Sequence, residues 1–325
     1  MADLARLRGR NFLVVGRAGM DLYADPPGTP IEDATRFTTA LGGSSANIAV
    51  ALTRQGCSAA LVTCVSDDAI GRFCVRALDA YGIDRAHVRP VAGEARNSLA
   101  LVETRLDNCQ SVIYRNNAAD FAMTMEDVQA VDYPAFSALI TTGTVLAAEP
   151  SRSAAFLPLV FDIDYRPYSW PSAAAASEAY SRAGGLCDII VGNDVEFGFM
   201  AGDPALGLDK ARSLIAHGAQ IVVYKMGEKG AVTITRDGEF ATGIFPSEAL
   251  KPTGAGDSFL GAFIAGLAAG LPVRSAVLRG SAAAAMVVAR VGCAPAMPAI
   301  AELDAFLGQH PEPSAWRPDD AHRPA

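Results

Sequence analysis

A chain of 325 residues with 50% hydrophobic and 19% charged composition carries enough apolar material for one large core, which excludes disorder as the default state. The formal net charge of −8 excludes a general nucleic-acid binder, which needs a broad basic field. Six cysteines without a C-x-x-C pair, and four scattered histidines, speak against a zinc or disulfide scaffold.

Taken in chain order, Arg6, Arg8 and Arg10 precede an apolar run too short for the core of a signal peptide. Phe12 to Gly16 predicts a strand, and the polar, alternating stretch from Asp21 to Leu41 follows it. Ser44 to Gln55 predicts a helix stopped by Gly56, Ala59 to Val65 a strand, and Gly71 to Tyr81 a helix stopped by Gly82. Asn97 to Arg115 repeats the alternating pattern and is expected to pair with 21–41 as a small β-lid over the sheet's edge. Further strands are predicted at Ala138 to Thr142, Leu159 to Asp162, Ile189 to Gly192 and Ile221 to Lys225, with a helix from Asp209 to His217 stopped by Gly218. From Gly143 to Leu157 the chain must cross between two parallel strands with room for one or two helical turns, where a crossover usually holds a full helix. This alternation predicts an α/β fold with a mostly parallel central sheet, in one domain over residues 1–310. The longest apolar stretches, Phe259 to Leu271 and Ser281 to Val288, are shorter than the about 20 residues of a membrane span. Residues 311–325, rich in proline and charge, predict a flexible tail. A soluble, cytoplasmic protein with neither a membrane nor a nucleic-acid partner is expected.

The strongest chemical signal is Lys251-Pro-Thr-Gly-Ala-Gly-Asp257, a glycine-rich turn running into a small-residue helix that ends near Gly270. Gly254 and Gly256 allow a tight turn whose N–H groups, with those of Ala255 and the helix start, point at one spot and form an anion site. Asp257, in the first helical turn, could take the proton of an attacking hydroxyl while a phosphoryl group occupies that site. The residues alone leave a second reading open, in which Asp257 is a helix-terminal carboxylate contributing about 1 kcal/mol. A Walker loop is absent, as is a G-x-G-x-x-G after the first strand. A second signal is the diglycine Gly42-Gly43 opening the helix that carries Asn47, an amide able both to donate to and to accept from a sugar hydroxyl.

These segments, with Val15-Gly-Arg-Ala-Gly-Met-Asp21, Gly192-Asn-Asp-Val-Glu196 and Lys225-Met-Gly-Glu-Lys-Gly230, resemble the signatures of the phosphofructokinase-B, or ribokinase-like, kinases along nearly the whole chain. The resemblance implies a three-layer α/β/α sandwich with a β-lid, ATP as phosphoryl donor, Mg²⁺ and a small sugar-type substrate. It implies Asp257 as catalytic base beside the amides of Gly254, Ala255 and Gly256, and Asp21, Gly42, Gly43 and Asn47 around the sugar. Asn193 and Glu196 are then the magnesium-associated pair, acting partly through water. Asn193, Lys225, Gly227, Gly230, Thr253, Gly254 and Gly256 would line the nucleotide.

Within the family the chain is most similar to the kinases of keto sugar acids, through Ile113-Tyr-Arg-Asn-Asn-Ala-Ala-Asp120 and Phe161-Asp-Ile-Asp-Tyr-Arg-Pro-Tyr-Ser-Trp170. Arg115 and Arg166 each offer a fork that suits a carboxylate, although a structural salt bridge would use the same group. A nucleoside kinase and a non-catalytic sugar-binding regulator are the competing readings. Two departures stand out: Lys251 replaces an acidic residue that, in relatives, helps hold a monovalent cation, and Asn116-Asn-Ala118 replaces the usual Glu-Asn-Cys. The exposed edge of the lid is expected to pair in a homodimer.

Overall fold

The computed structural model describes residues 4–147, 160–166 and 170–315. In chain order its strands are β1 (Asn11–Val15), β2 (Gly19–Asp25), β3 (Arg36–Gly42), β4 (Ser58–Ser66), β5 (Val88–Val91), β6 (Leu99–Val102), β7 (Ser111–Tyr114), β8 (Ala138–Thr142), β9 (Val160–Asp162), β10 (Ile189–Asn193), β11 (Ile221–Lys225), β12 (Ala231–Thr235) and β13 (Gly238–Thr242). Its α-helices are α1 (Ser44–Arg54), α2 (Ala69–Ala80), α3 (Met125–Gln129), α4 (Ala173–Gly184), α5 (Asp194–Ala201), α6 (Gly207–Ala216), α7 (Ala255–Ala268), α8 (Val273–Val288) and α9 (Ile300–Gln309).

The main sheet runs β13-β12-β11-β10-β9-β8-β1-β4-β5; it is parallel from β11 to β5, and β12 and β13 form an antiparallel hairpin at one edge. Unbroken apolar runs suit this sheet because both of its faces are covered. Phe12 and Val14 of β1 pack with α1, α2, α7 and α8, whereas Leu13 and Val15 pack on the other face with α3, α4, α5 and α6. The fold is therefore the three-layer sandwich expected. Fully burying side chains such as Phe12 or Phe263 stabilises it by roughly 1.5–3 kcal/mol each.

The lid is a separate four-stranded sheet, β3-β2-β6-β7, built from the two alternating stretches as predicted. Tyr23, Ala40, Ala100 and Val102 supply its apolar face and pack with Cys293 of the body. β2 departs four residues after β1 ends and β3 runs directly into α1, so the lid springs from the carboxyl ends of the main strands. In an open α/β sheet that is where ligands bind.

Helix starts differ by two residues from the sequence reading, for local reasons. α2 begins at Ala69 and not at Gly71, because the Asp68 carboxylate caps it by accepting from Ile70 N and Gly71 N at 2.9 and 3.0 Å. α6 begins at Gly207, ahead of Asp209. The stops fall at Gly56, Gly82 and Gly218, all with positive φ. The hairpin β12–β13 is an addition, although Asp237-Gly238 at its turn is a strong hairpin signal.

β8 and β9 pair in parallel, Ile140 opposite Val160, while residues 148–159, which hold the short crossover and Leu159, lie outside the described residues. Of the expected flexible tail, Glu312 pairs with Arg274 at 2.6 Å and the Ser314 carbonyl lies against Gly243; residues 316–325 lie outside the described residues. Among the described residues no helix is long and apolar enough to cross a membrane.

Candidate active site

The turn before α7 puts Gly254 at the N-cap with φ 84° and ψ −6°, a left-handed conformation that glycine adopts without penalty. A Cβ there would also lie 2.9 Å from Cys293 Sγ. No side chain caps this helix, and its first backbone bond is Ser258 N to Gly254 O at 3.0 Å. The N–H groups of Ala255, Gly256 and Asp257 therefore face the cleft end of the helix, where the peptide dipoles favour an anion. Lys225, at the end of β11, brings its ammonium to the same spot: a Cβ on Gly256 would stand 3.6 Å from Lys225 Nζ.

Asp257 lies in the first turn of α7 and accepts a hydrogen bond from Asn47 Nδ2 on α1 at 2.9 Å. Residues 210 apart in sequence are thus joined at the point where the chemistry was expected. Burial pushes the Asp257 carboxyl up to about 7, with the nearby charge of Asp164 adding to it and the Asn47 bond, Arg166 and Arg17 opposing. A carboxylate so tuned is a competent proton acceptor near neutrality.

On the lid side, the Asp21 carboxylate accepts from Tyr23 Oη at 3.1 Å and lies over Gly42, where a Cβ would be only 1.9 Å from its oxygen. Burial raises its pKa against the opposing charge of Arg17. Gly43, the N-cap of α1, has φ 94° and ψ 126°, and a Cβ there would meet the Arg17 carbonyl at 2.5 Å. Asn47 Oδ1 is buried without a partner, which leaves an acceptor available to a hydroxyl. Asp21, Gly42, Gly43, Asn47 and Asp257 are thus gathered at one end of the cleft.

Asn193 and Glu196 form a reciprocal capping box on α5: Glu196 N donates to Asn193 Oδ1 at 2.9 Å and Asn193 N to Glu196 Oε2 at 2.7 Å. Glu196 Oε1 also accepts from Tyr165 N at 3.2 Å. With Asp162, at the end of β9, Glu196 stands buried in the field of Lys225, and burial raises both carboxyls above their usual range. The donor set is all hard oxygen with an excess of negative charge, which fits a magnesium ion. Among the described residues no three ligands converge closely enough to hold a metal unaided, so phosphate oxygens and waters would have to complete its shell. Gly227, two residues after β11, faces open space, and Gly230 packs against the Thr242 carbonyl. Thr253 directs its carbonyl at Lys251 and buries an unpartnered hydroxyl.

Both expected arginines have carboxylates of their own. Arg115 is buried against Asp120 at 2.5 Å, donates to Thr144 O at 3.0 Å and lies over the Phe121 ring. Arg166 pairs with Asp164 at 2.7 Å. The sequence reading does not single out Asp162, Asp164 or Arg17, all of which stand at the carboxyl ends of strands β9 and β1. An acidic or basic residue directly after a buried strand is the signal that marks them. Asp164 holds φ at 36°, uncommon for a residue with a side chain. Burial works against its charge, but Arg166, Ser44, Arg17 and Arg115 outweigh it and hold the carboxyl below its ordinary value. Lys251 is fully buried, its Nζ donating to Thr253 O at 2.6 Å and Val287 O at 3.4 Å behind the anion site.

Residues 10–300 match the pfkB family carbohydrate kinase family. The chain is 37% identical over 322 residues to a 5-dehydro-2-deoxygluconokinase of Geobacillus kaustophilus, covering 94% of this chain and 96% of the relative. Among solved structures, a PfkB protein from Polaromonas sp. JS666 superposes with a TM-score of 0.77 at 27% identity, covering 91% of this chain and 99% of that one. A fructokinase with bound ATP from Xylella fastidiosa shares the fold, with a TM-score of 0.81 at 21% identity over 93% and 99% of the two chains. With Asp257 tied to Asn47 at the glycine-rich turn, and with this match along the sequence, the chain belongs to the pfkB family of carbohydrate kinases.

Proposed function

We propose that this protein transfers the γ-phosphoryl group of ATP to the primary hydroxyl of a keto sugar acid, namely 5-dehydro-2-deoxygluconate, to give its 6-phosphate. The observation that carries the reading is the Asn47–Asp257 bond, which ties the sugar-side helix to the base beside the anion site. The name carried by the 37% identical relative supports the acceptor. The positive charge of Arg166, Arg17 and Arg115 around Asp164 supports it as well.

Asp257 takes the hydroxyl proton as the acceptor oxygen bonds to phosphorus and the bond to ADP breaks. The amides of Ala255 to Asp257 and the Lys225 ammonium meet the charge on the transferring group, so positioning and electrostatics supply most of the rate. A magnesium ion on the donor phosphates, faced by Asp162 and by the Asn193–Glu196 pair partly through water, would neutralise charge between them. Gly227, Gly230 and Thr253 line the same side.

A coupled ATP-consumption assay over a panel of keto sugar acids tests the reading. The highest kcat/KM is expected for 5-dehydro-2-deoxygluconate, with 2-dehydro-3-deoxygluconate next and nucleosides inert. Binding of an acid without any ADP release would identify a non-catalytic regulator instead.

Two further outcomes follow from the same geometry. Lys251 places its own ammonium among carbonyls beside the anion site, so potassium added at fixed ionic strength is expected to leave turnover unchanged; a several-fold rise would refute this. β7 edges the lid with Val112 and Tyr114 41% and 62% exposed. We propose that it pairs across a two-fold axis, and light scattering that gives a monomer mass at micromolar concentration would reject that.

A further inference from the structure

Three guanidiniums bear on Asp164, and their partners differ. Arg115 also leaves Nε and Nη1 without a partner, but its charge is committed to Asp120 with both side chains buried, so that pair has little net charge to offer a ligand. Arg166 is committed to Asp164 itself. Arg17 forms no ion pair with any described carboxylate: its Nη1 donates weakly to Ser98 Oγ at 3.4 Å, and its Nε is buried with no partner. A buried guanidinium N–H without a partner is destabilising unless a ligand satisfies it.

The place of Arg17 in the chain decides which part of a ligand it meets. It lies two residues after β1, and its carbonyl accepts from Ala46 N at 3.2 Å in the first turn of α1, one residue before the Asn47 that contacts Asp257. Its side chain reaches Ser98, the residue before lid strand β6. It therefore stands on the lid side with Asp21 and Gly43, whereas Lys225 and the start of α7 hold the phosphoryl side. Its charge is felt at Asp21, Asp164 and Asp257, which line the space between.

We infer that Arg17, held between α1 and the residue that precedes lid strand β6, is the specificity-determining residue that grips the carboxylate of the acceptor. The inference rests on the keto sugar acid reading above and adds the group that selects the acid over a neutral sugar. A carboxylate supplies the charge-assisted, bidentate partner that a planar guanidinium suits, and a hydroxymethyl group does not.

The test compares the wild type with Arg17→Gln and Arg17→Lys on 5-dehydro-2-deoxygluconate and on the analogue in which a hydroxymethyl group replaces the carboxylate. Arg17→Gln is expected to raise KM for the acid about 10²-fold while KM for ATP and for the neutral analogue stay within about threefold, erasing the preference for the acid. Arg17→Lys, which keeps the charge and loses the fork, is expected to fall between. Equal losses on acid and neutral analogue would overturn the inference in favour of a positioning role, and a fall in kcat at unchanged KM would overturn it in favour of a role at the phosphoryl group. Calorimetric binding of the acid, read without turnover, separates the two layers. If the wild type binds the acid without phosphorylating it and Arg17→Gln does not bind, this inference stands and the kinase reading falls. If both bind alike, this inference falls alone, and if the wild type neither binds nor phosphorylates any keto sugar acid, both fall.

Discussion

Replacing Asp257 by Asn is expected to lower kcat by a factor on the order of 10² to 10⁴ while ATP affinity changes little, since in the proposed mechanism its carboxylate takes the acceptor proton while the amides and Lys225 hold the donor. The same substitution should raise stability in alkaline buffer, which separates it from simple damage. Asp257 is held at about 7 in the folded protein, against an ordinary value of 3.8. Between those values the native state keeps a proton that the unfolded chain has released, so native stability falls as pH rises through the window. Above about pH 7 the charge costs on the order of 4 kcal/mol, by linkage at about 1.4 kcal/mol per unit. Asparagine removes that cost and can still accept from Asn47. Urea midpoints at about pH 8 should therefore favour the variant and converge toward about pH 4. In the wild type, kcat/KM should rise about tenfold per unit below pH 7 and level off above it. Wild-type turnover in the variant, or destabilisation of equal size at both pH values, would end the assignment of Asp257 as a buried base.

The second large effect is expected from Gly43→Ala. At φ 94° and ψ 126° an alanine is strained, and its Cβ would have to occupy space 2.5 Å from the Arg17 carbonyl, a backbone atom that cannot swing aside. Strain of this kind costs roughly 1–3 kcal/mol before the clash is counted. Relief requires the β3–α1 junction to move away from the end of β1. That junction fixes Asn47, so the loss should appear both as a lowered urea midpoint and as a fall in kcat/KM of more than about tenfold. A variant with a wild-type midpoint and wild-type kinetics would show that the junction tolerates a side chain. Gly42→Ala gives a useful contrast, because there the obstruction is the Asp21 side chain, which can rotate, and the effect should fall mainly on KM for the acceptor.

Much of this protein was legible before its structure. Short apolar runs closed by glycines predicted the parallel strands, because a strand covered on both faces has no polar side to encode. Gly254-Ala-Gly-Asp257 predicted an anion site with a base, because backbone conformation and helix polarity are local properties. The alternating stretches 21–41 and 97–115 predicted the lid, since a sheet with one wet face alternates along its strands. The edge hairpin carried its Asp-Gly turn in plain view. Partnership was not legible, because ion pairing depends on which side chains the fold places opposite one another. In the chain Arg115 and Arg166 suited a substrate carboxylate and a structural salt bridge equally, and only tertiary structure gave them Asp120 and Asp164 and left Arg17 without a described carboxylate. Nor could a one-dimensional reading find the raised carboxyl of Asp257, which arises from burial and from the charge of Asp164, a residue 93 positions away in the chain. The sequence by itself determined the layers, the lid and the glycine-rich turn before α7, whose causes lie within a few neighbouring residues; the tertiary structure alone decided which charges are paired with each other, because that depends on distances in space.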